Sequence, residues 1–257
     1  MTEILKLLIF CPGFLDHHIE TKLKQLKLRG MHRSWQALSE TKRLHELSFA
    51  DGMDLLLQAE EEERQNSRFE RLTRSAKFRY RASLEELYFD PGRGLGKGLI
   101  SDLATCGFIS KGESVLITGK TGSGKSFVAS ALGHHACAKG YRVGYFNTQK
   151  FMVKVKMARL EGSILSFFDK IAKTQLLILD DFGLTNLEKQ QQYDLMEVIE
   201  DRHGKCSTII ASQLPVDCWY DVITESTIAD AILDRLVHTS YRIELIAENS
   251  LRNNKKR

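Results

Sequence analysis

Hydrophobic residues recur at two different spacings along the chain, and the spacing changes near residue 112. From about residue 20 to residue 81 they return every three to four positions, and glycine and proline are nearly absent, which is typical of amphipathic helices. Beyond residue 112, short apolar runs rich in β-branched residues alternate with helical patterns, which is typical of parallel strands joined by crossover helices. The pattern predicts an all-helical N-terminal domain over residues 1–81, a connecting segment over 82–111 and an α/β domain over 112–257.

The α/β domain has five candidate strands with helical stretches between them. The strands are predicted at Val115–Thr118, Tyr141–Phe146, Leu176–Asp180, Thr208–Ser212 and Arg242–Leu245. The helices are predicted at Phe127–Lys139, Thr148–Leu160, Ile164–Lys173 and Ile228–His238. This order predicts one parallel sheet with helices on both faces.

The N-terminal domain is predicted to be helical over residues 20–81. Gly30 weakens the first helix, because glycine is a poor helix former. A second helix begins at Ser48, with Asp51 three residues later as in a capping box. Basic residues then follow this helix in two rows at helical spacing. The rows are Arg64, Arg68 and Arg71, and Arg74, Lys77 and Arg81.

The composition excludes several classes of protein. Hydrophobic residues make up 42% of the 257 residues, enough for a sizeable core. The five cysteines are odd in number and lack the spacing of zinc ligands, so a reducing cytoplasm is expected. No apolar run reaches the roughly 18 residues of a membrane helix, and residues 1–14 lack the basic region and cleavage site of a signal peptide. We therefore expect a cytoplasmic protein that does not associate with membranes.

Positive charge is concentrated in two segments of the N-terminal part. Residues 22–43 and residues 64–81 each contain seven basic residues and one acidic residue. Such segregation favours a polyanion such as DNA as a partner, although two solvated helix faces explain the charges equally well. A weaker basic set, Lys154, Lys156 and Arg159, lies on a predicted helix of the α/β domain. DNA binding through such rows would not depend on base sequence, because contacts to phosphates do not read bases.

A phosphate-binding motif directly follows the first predicted strand. The motif has the pattern GxxxxGK[ST] of the P-loop, whose glycines let successive backbone N–H groups point at one phosphate. The helix that follows directs its positive N-terminus at the same charge, the lysine reaches the β- and γ-phosphates, and the final hydroxyl is a ligand for Mg²⁺. Its residues are Gly119, Lys120, Thr121, Gly122, Ser123, Gly124, Lys125 and Ser126.

Two acids end the third predicted strand, at Asp180 and Asp181. The carboxyl ends of neighbouring parallel strands form the edge at which ligands bind in such sheets. We expect Asp180 to hold Mg²⁺ through water and Asp181 to orient the attacking water; without the P-loop, the pair would read equally well as two acids in a turn. A glycine-rich stretch at residues 92–98 follows no strand and is interpreted as a flexible connection.

Several stretches together resemble one family. They are LKLRGM (26–31), LLLQAEEEERQNSRFERLTRSAKFR (55–79), the P-loop, LLILDDFG (176–183), SQLP (212–215) and DRLVH (234–238). The order of strands, with two helices before the Asp-Asp strand, is similar to that of AAA+ ATPases of the initiator and helicase-loader branch. Within that branch the chain resembles the IstB family of ATP-binding transposition helper proteins, relatives of the DnaC helicase loader. The resemblance covers about residues 20–252, and residues 1–19 have no counterpart.

The resemblance implies a P-loop AAA+ domain with ATP and Mg²⁺ as cofactors, and a function as an ATPase that oligomerises on DNA and recruits or stimulates a transposase. Gln213 matches the sensor position at the end of the fourth strand, which contacts the γ-phosphate or the water. Arg235 matches the arginine finger, which reaches the ATP of a neighbouring subunit; the alternative is an ordinary arginine on a helix surface. Many AAA+ proteins have glutamate where this chain has Asp181, so slow turnover is expected.

Three other functions fit parts of the same pattern. A replicative helicase loader similar to DnaC would use the same ATPase domain with a different client. A small-molecule kinase would need a lid and an acceptor site, and neither is evident after the P-loop. A DNA-binding module that is switched by nucleotide but does not hydrolyse it is consistent with the shorter Asp181.

Overall fold

The computed structural model describes residues 12–41, 43, 46–89 and 91–246, with the side chains of residues 12–15 and of Pro91 left aside. Residues 1–11, which include most of the stretch tested for a signal peptide, lie outside the described residues. The chain divides into two compact units, Met1–Glu70 and Arg71–Arg257. None of the helices in the described ranges is both long and apolar enough to cross a membrane.

The N-terminal unit is built from helices α1 (Pro12–Gln25) and α2 (Arg29–Glu40) and from most of α3 (Phe49–Ala76). Helix α2 packs closely on α3 at Gly30, where a Cβ atom would lie 2.1 Å from the carbonyl oxygen of Ala59. At the same point the buried carboxylate of Glu60 accepts hydrogen bonds from the backbone N–H groups of Gly30 (2.8 Å) and Met31 (3.3 Å). Gly30 therefore allows a close helix crossing.

Helix α3 begins as the sequence predicts but ends earlier. The Ser48 hydroxyl accepts a hydrogen bond from the Asp51 backbone N–H (3.2 Å) and donates one to the Asp51 carboxylate (2.6 Å), so the predicted cap is confirmed. The helix ends at Ala76, and Lys77 has a positive φ of 59°. Arg81 lies beyond this end, so the predicted helical row of Arg74, Lys77 and Arg81 is wrong. A left-handed residue terminates a helix because it breaks the repeat of backbone dihedrals.

The segment between α3 and the sheet packs within the second compact unit. It contains a short 3₁₀ turn (Pro91–Arg93) and helices α4 (Lys97–Ala104) and α5 (Gly107–Lys111). Several of its apolar side chains, among them Leu95 and Leu103, are almost fully buried. The glycine-rich stretch at 92–98 is therefore part of a packed structure, and its interpretation as a flexible connection is wrong.

Five parallel strands form one sheet in the order β2-β3-β4-β1-β5, which confirms the predicted α/β fold. The strands are β1 (Ser114–Gly119), β2 (Val143–Asn147), β3 (Leu176–Phe182), β4 (Ser207–Ser212) and β5 (Ser240–Leu245). The helices that follow α5 are α6 (Lys125–Ala138), α7 (Thr148–Leu160), α8 (Ile164–Ala172), α9 (Lys189–Arg202), α10 (Trp219–Val222) and α11 (Ser226–Val237), with a 3₁₀ turn at Val216–Cys218. Most bounds differ from the predicted ones by one or two residues.

Strand β3 lies at the centre of the hydrophobic core. Its residues from Leu176 to Leu179 are fully buried, and Phe182 packs on Trp219. A strand that is apolar at consecutive positions is buried on both faces, as expected for a parallel sheet covered by helices on both sides. Because β1, β3 and β4 are parallel neighbours, their carboxyl ends bring the P-loop, the two acids and Gln213 to one edge of the sheet.

Candidate nucleotide-binding site

The P-loop joins the end of β1 to the start of α6. Gly119 has a φ of 144°, and a Cβ atom at this position would lie 2.3 Å from the carbonyl oxygen of Leu245. A side chain is therefore excluded where the loop begins. Helix α6 starts at Lys125, so its N-terminal dipole and free backbone N–H groups face the inside of the loop.

Lys125 is held inside the loop. Its side chain is buried, and its ammonium group donates hydrogen bonds to the carbonyl oxygens of Gly119 (2.7 Å) and Lys120 (3.0 Å). Burying an ammonium group is costly unless it is paired. This arrangement places a positive charge against the loop, where it can neutralise a phosphate.

Asp180 is almost completely buried and receives hydrogen bonds on both carboxylate oxygens. Oδ1 accepts from the Ser126 hydroxyl (3.0 Å), and Oδ2 accepts from the Tyr145 hydroxyl and from Arg79 (3.3 Å). Burial and the neighbouring Asp180 carboxylate raise the pKa of Tyr145, so the phenol stays protonated and acts as the donor. Ser126 and Asp180, which the sequence predicts as the residues that hold Mg²⁺, therefore lie within hydrogen-bond distance of each other.

Oxygen ligands are those that Mg²⁺ prefers, and Ser126 and Asp180 bring a hydroxyl and a carboxylate together. Their oxygens lie 3.0 Å apart, and Ser126 also lines a cavity next to the P-loop. The side chains present therefore fit a magnesium ion bound together with a phosphate.

Asp181 has a left-handed backbone, with a φ of 58°. Its Oδ2 atom accepts hydrogen bonds from Arg79 (2.9 Å) and from the side-chain amide of Asn147 (3.0 Å). Non-glycine residues with positive φ are uncommon, and aspartate and asparagine are several-fold enriched among them. Asp180 and Asp181 thus share one cation, Arg79, which the sequence analysis did not single out.

Gln213 follows β4 and faces the P-loop. Its side-chain oxygen accepts a hydrogen bond from the Thr121 hydroxyl (2.6 Å). This contact places an amide next to the phosphate-binding loop.

These groups line a cavity of about 310 Å³, within the range of small-molecule sites. The lining combines polar side chains with apolar and aromatic ones. The polar side chains include Arg79, Lys125, Ser126, Asp181 and Gln213. The apolar and aromatic side chains are Tyr80, Leu87, Tyr88, Leu95, Phe127 and Val128.

The wall of the cavity comes from a segment that sequence analysis treated as a connection. Arg93 donates hydrogen bonds to the carbonyl oxygens of Ser123 in the P-loop (3.0 Å) and of Tyr88 (3.1 Å), and its own carbonyl oxygen accepts one from Ile246 (3.0 Å). No local pattern marks residues 79–95 as a ligand site, because their role depends on contacts with the distant P-loop and β5.

Arg235 does not line this cavity. It lies on α11, where it forms an ion pair with Glu200 of α9 and donates a hydrogen bond to the carbonyl oxygen of Ala231 (2.8 Å). Because Arg235 lies away from the cavity of its own chain, its predicted action on the ATP of a neighbouring subunit stays a prediction.

The basic residues predicted to bind DNA are exposed but differ in their contacts. Arg64 pairs with Glu60 (2.8 Å), and Arg159 pairs with the buried Asp194. The Lys154 ammonium group lies 5.0 Å from the centre of the Phe146 ring. The others that are exposed are Arg68, Arg71, Arg74, Lys77, Arg81 and Lys156.

A parallel sheet with a P-loop after β1, an acid pair on β3 and a glutamine after β4 defines a P-loop ATPase fold of the AAA+ class. The crystal structure of the DnaC helicase loader has a similar fold, with a TM-score of 0.57 and 20% sequence identity over 64% of this chain and 97% of that chain.

Residues 21–257 match the family described as IstB-like ATP binding protein, and the chain belongs to this family. It is 39% identical to the insertion sequence ATP-binding protein y4pL of Sinorhizobium fredii, over 95% of this chain and 99% of that protein. It is 41% identical to the insertion sequence IS1162 ATP-binding protein of Pseudomonas fluorescens, over 78% of this chain and 87% of that protein. The resemblance inferred from the sequence is thereby confirmed.

Proposed function

We propose that this protein is a magnesium-dependent ATPase that acts on DNA together with the transposase of an insertion sequence. One observation carries the enzymatic part of the proposal: Lys125, Ser126 and Asp181 line one cavity at the carboxyl edge of the sheet, and the Ser126 hydroxyl donates a hydrogen bond to Asp180 (3.0 Å). The insertion-sequence relatives support the part of the proposal that concerns a transposase.

The P-loop would hold the triphosphate. Its backbone N–H groups and the N-terminus of α6 favour negative charge, and Lys125 adds the positive charge that follows the β- and γ-phosphates. Ser126 and Asp180 would hold Mg²⁺, which supplies charge neutralisation on the phosphates when it is bound.

Asp181 and Gln213 would act on the water and on the γ-phosphate. A carboxylate accepts a hydrogen bond from water and so can orient it for in-line attack, whereas the amide of Gln213 donates toward the phosphate. The apolar and aromatic side chains that line the cavity, among them Tyr88 and Leu95, would receive the base, because an aromatic ring gains from stacking and from removal of apolar surface from water.

ATP binding is tested first with Lys125→Ala. We expect a loss of ATP affinity of at least tenfold, measured by calorimetry. Lys205→Ala removes the same charge just before β4, at the opposite edge of the sheet, and should bind ATP like the parent. Affinity within threefold of the parent in Lys125→Ala would contradict the proposal.

Hydrolysis is tested with Asp181→Asn. We expect the variant to bind ATP normally and to release phosphate at least tenfold more slowly, because the neutral amide no longer accepts the water proton. An ATP-binding parent that shows no turnover with or without duplex DNA would instead support a nucleotide-switched binding module.

Assembly across ATP sites would explain Arg235. A guanidinium supplied by a neighbour neutralises charge in the transition state and works only in an oligomer. Val153, Met157 and Leu160, spaced along one side of α7, are exposed apolar side chains, which also favours an interface. We expect Arg235→Ala to bind ATP but turn it over slowly. Mixing it with Lys125→Ala should restore part of the turnover, and absence of any recovery would argue against a shared site.

DNA binding is proposed to be independent of sequence. Arg64, Arg68 and Arg71 are exposed along α3, and the N-terminal unit has a second basic surface, a groove lined by Lys24, Lys27, Arg29 and Arg33 with Glu63 as its acid. Arginine and lysine rows of this kind contact phosphates and release counterions.

The salt dependence of DNA affinity tests this part. Arg68→Ala combined with Arg71→Ala should weaken all duplex sequences alike and flatten the slope of log K against log salt by about one to two. Lys139→Ala combined with Lys205→Ala removes the same charge elsewhere and serves as the control. An unchanged slope with slightly lower helix stability would mean that these arginines only balance the helix acids.

The identity of the partner protein, transposase or replicative helicase, distinguishes the proposed function from its alternative. A helicase loader would share this ATPase domain, so co-purification with transposase and with replicative helicase, each tested separately, distinguishes the two functions. The insertion-sequence relatives favour the transposase.

A further inference from the structure

We infer that Glu86 selects the base of the bound nucleotide, because its carboxylate presents one hydrogen-bond acceptor that fits the amine of adenine and repels the oxygen of guanine. The inference rests on the proposed binding of ATP in the cavity beside the P-loop. It assigns a role to a side chain that the phosphate-binding residues and the acid pair on β3 do not account for.

Glu86 belongs to the segment that supplies part of the apolar lining of the cavity. It lines the cavity together with the residues that follow it, Leu87 and Tyr88, and Gly122 and Lys125 of the P-loop line the same cavity. With the phosphates in the P-loop, the base is expected against the apolar and aromatic side chains. Glu86 is therefore the carboxylate that directly precedes the side chains proposed to receive the base.

This segment is tied to the P-loop by the protein itself. Arg93 donates one hydrogen bond to the carbonyl oxygen of Ser123 (3.0 Å) and another to the carbonyl oxygen of Tyr88 (3.1 Å). Leu87 and Leu95, on either side of Tyr88, are buried. The position of the segment relative to the phosphate-binding loop is thus set by contacts within the chain, and such preorganisation favours selective binding.

The Glu86 carboxylate offers one acceptor to a ligand. Its Oε2 atom accepts a hydrogen bond from the Ser83 backbone N–H (2.9 Å), and this contact orients the group. Within the part of the chain that the structure describes, Oε1 has no hydrogen-bond partner. An ionised carboxylate accepts hydrogen bonds and donates none, so Oε1 fits a ligand that presents a donor.

The two purine bases differ in the group that they carry at position 6. Adenine carries an amine, which donates, whereas guanine carries an oxygen, which accepts. One carboxylate oxygen therefore stabilises adenine and repels guanine at this position. Guanine also has two adjacent donors, N1–H and the 2-amine, but this pair matches both oxygens of a carboxylate, and one of those at Glu86 is held by Ser83. The geometry favours adenine.

The test measures affinity and does not use turnover. Calorimetry gives the Kd of the full chain for the β,γ-imido analogues of ATP and GTP. We expect the parent to bind the ATP analogue about tenfold more tightly than the GTP analogue. This ratio is moderate because Glu86 is exposed and water competes for its oxygen.

Glu86→Gln should remove or reverse this preference. The Ser83 N–H still needs an acceptor, so the amide oxygen takes that place and the amide NH₂ group faces the base. A donor there repels the adenine amine and pairs with the guanine oxygen. The GTP analogue should therefore bind at least as tightly as the ATP analogue.

Two further variants separate the carboxylate from other effects. Glu86→Ala removes both oxygens and should bind the two analogues within threefold of each other. Glu85→Gln removes the same charge from the preceding position, which does not line the cavity, and should keep the ratio of the parent.

Two further ligands identify the part of the nucleotide that Glu86 contacts. Inorganic tripolyphosphate has no base, so its Kd should agree within twofold in the parent and in the variants. A tenfold loss of tripolyphosphate affinity in Glu86→Gln would mean that Glu86 acts on the P-loop. The 2′-deoxy form of the ATP analogue tests the ribose. If Glu86→Gln changes the preference for the ribose hydroxyl and leaves the preference between bases unchanged, the acid contacts the sugar and the inference is wrong.

The remaining outcomes distinguish the inference from the proposed function. A parent that binds the ATP and GTP analogues within threefold of each other, or a Glu86→Gln variant with the ratio of the parent, overturns the inference and leaves the proposed ATPase in place. A parent that binds neither analogue refutes the proposed function itself, and the inference with it.

Discussion

Replacing Gly30 by alanine tests the close crossing of α2 and α3 in the N-terminal unit. Alanine is the better helix former, by about 1 kcal/mol in a helix interior, so a purely local view expects Gly30→Ala to stabilise the protein. The structure instead predicts that Gly30→Ala destabilises the protein. The added Cβ atom would lie 2.1 Å from the Ala59 carbonyl oxygen and 2.5 Å from the Cα atom of Glu60.

The magnitude follows from how far the helices would have to separate. Both neighbours are backbone atoms, which cannot rotate away, and ordinary contact begins at 3.4 Å. A shift of about 1 Å would lengthen the 2.8 Å hydrogen bond from Gly30 to Glu60 beyond its useful range. Hydrogen bonds to charged groups contribute about 1.5–3 kcal/mol, and overpacking costs about 1–3 kcal/mol. Offset by the helix propensity, a net loss of about 2–4 kcal/mol is expected.

Gly52→Ala provides the matched control. Gly52 lies in the first turns of α3, and a Cβ atom there would meet nothing within 4 Å, so this substitution should stabilise by up to about 1 kcal/mol. Urea denaturation, with hydrogen exchange over residues 29–40 as the local readout, measures both variants. If Gly30→Ala stabilises the N-terminal unit as Gly52→Ala does, the close crossing is refuted.

Three further predictions concern single side chains. Burial raises the pKa of Glu60, but hydrogen bonds from Arg64 and from two backbone N–H groups of α2 outweigh it and hold the pKa below 4.5; its stabilising contribution is therefore present at neutral pH and lost as pH falls below about 4.5. Glu60→Gln should be less stable at pH 7 and lack this acid step in urea denaturation. Tyr145→Phe removes a donor to Asp180 and should lower kcat several-fold with little change in ATP affinity, whereas equal loss of both would indicate a general defect of the site. Gln213→Ala should slow phosphate release at saturating ATP, and unchanged turnover would exclude the sensor role.

Local patterns predicted the elements of the sheet well. Four consecutive apolar residues before Asp180 gave β3, and the bounds of α7, Thr148–Leu160, agree with the prediction. These elements could be predicted from the sequence because strand burial and helix periodicity are properties of neighbouring residues. The P-loop could be predicted for the same reason, since its glycines and its lysine lie within eight positions.

Contacts between distant segments were not predictable in this way. Arg79 meets Asp181 across 102 positions, and within the sequence it was one more basic residue in a charged stretch. Gly30 was interpreted as a weak point of a helix, because propensity describes the helix alone and not the backbone packed against it. Arg93 was placed in a flexible connection, although its partner is a P-loop carbonyl.

The strand order has a consequence for the way the protein acquires its shape. Strand β1 pairs with β4 on one side and with β5 on the other, so both of its ladders join segments that are distant in the sequence: Val115 pairs with Ile209 and with Tyr241. Long-range parallel pairing forms slowly, because the intervening chain must first be brought together. During synthesis, the P-loop leaves the ribosome before either partner strand, yet Gly119 is held against Leu245 at the end of β5. We therefore expect the nucleotide site to be among the last parts of the sheet to form, and a chain interrupted before residue 240 to keep an unpaired β1 edge open to aggregation.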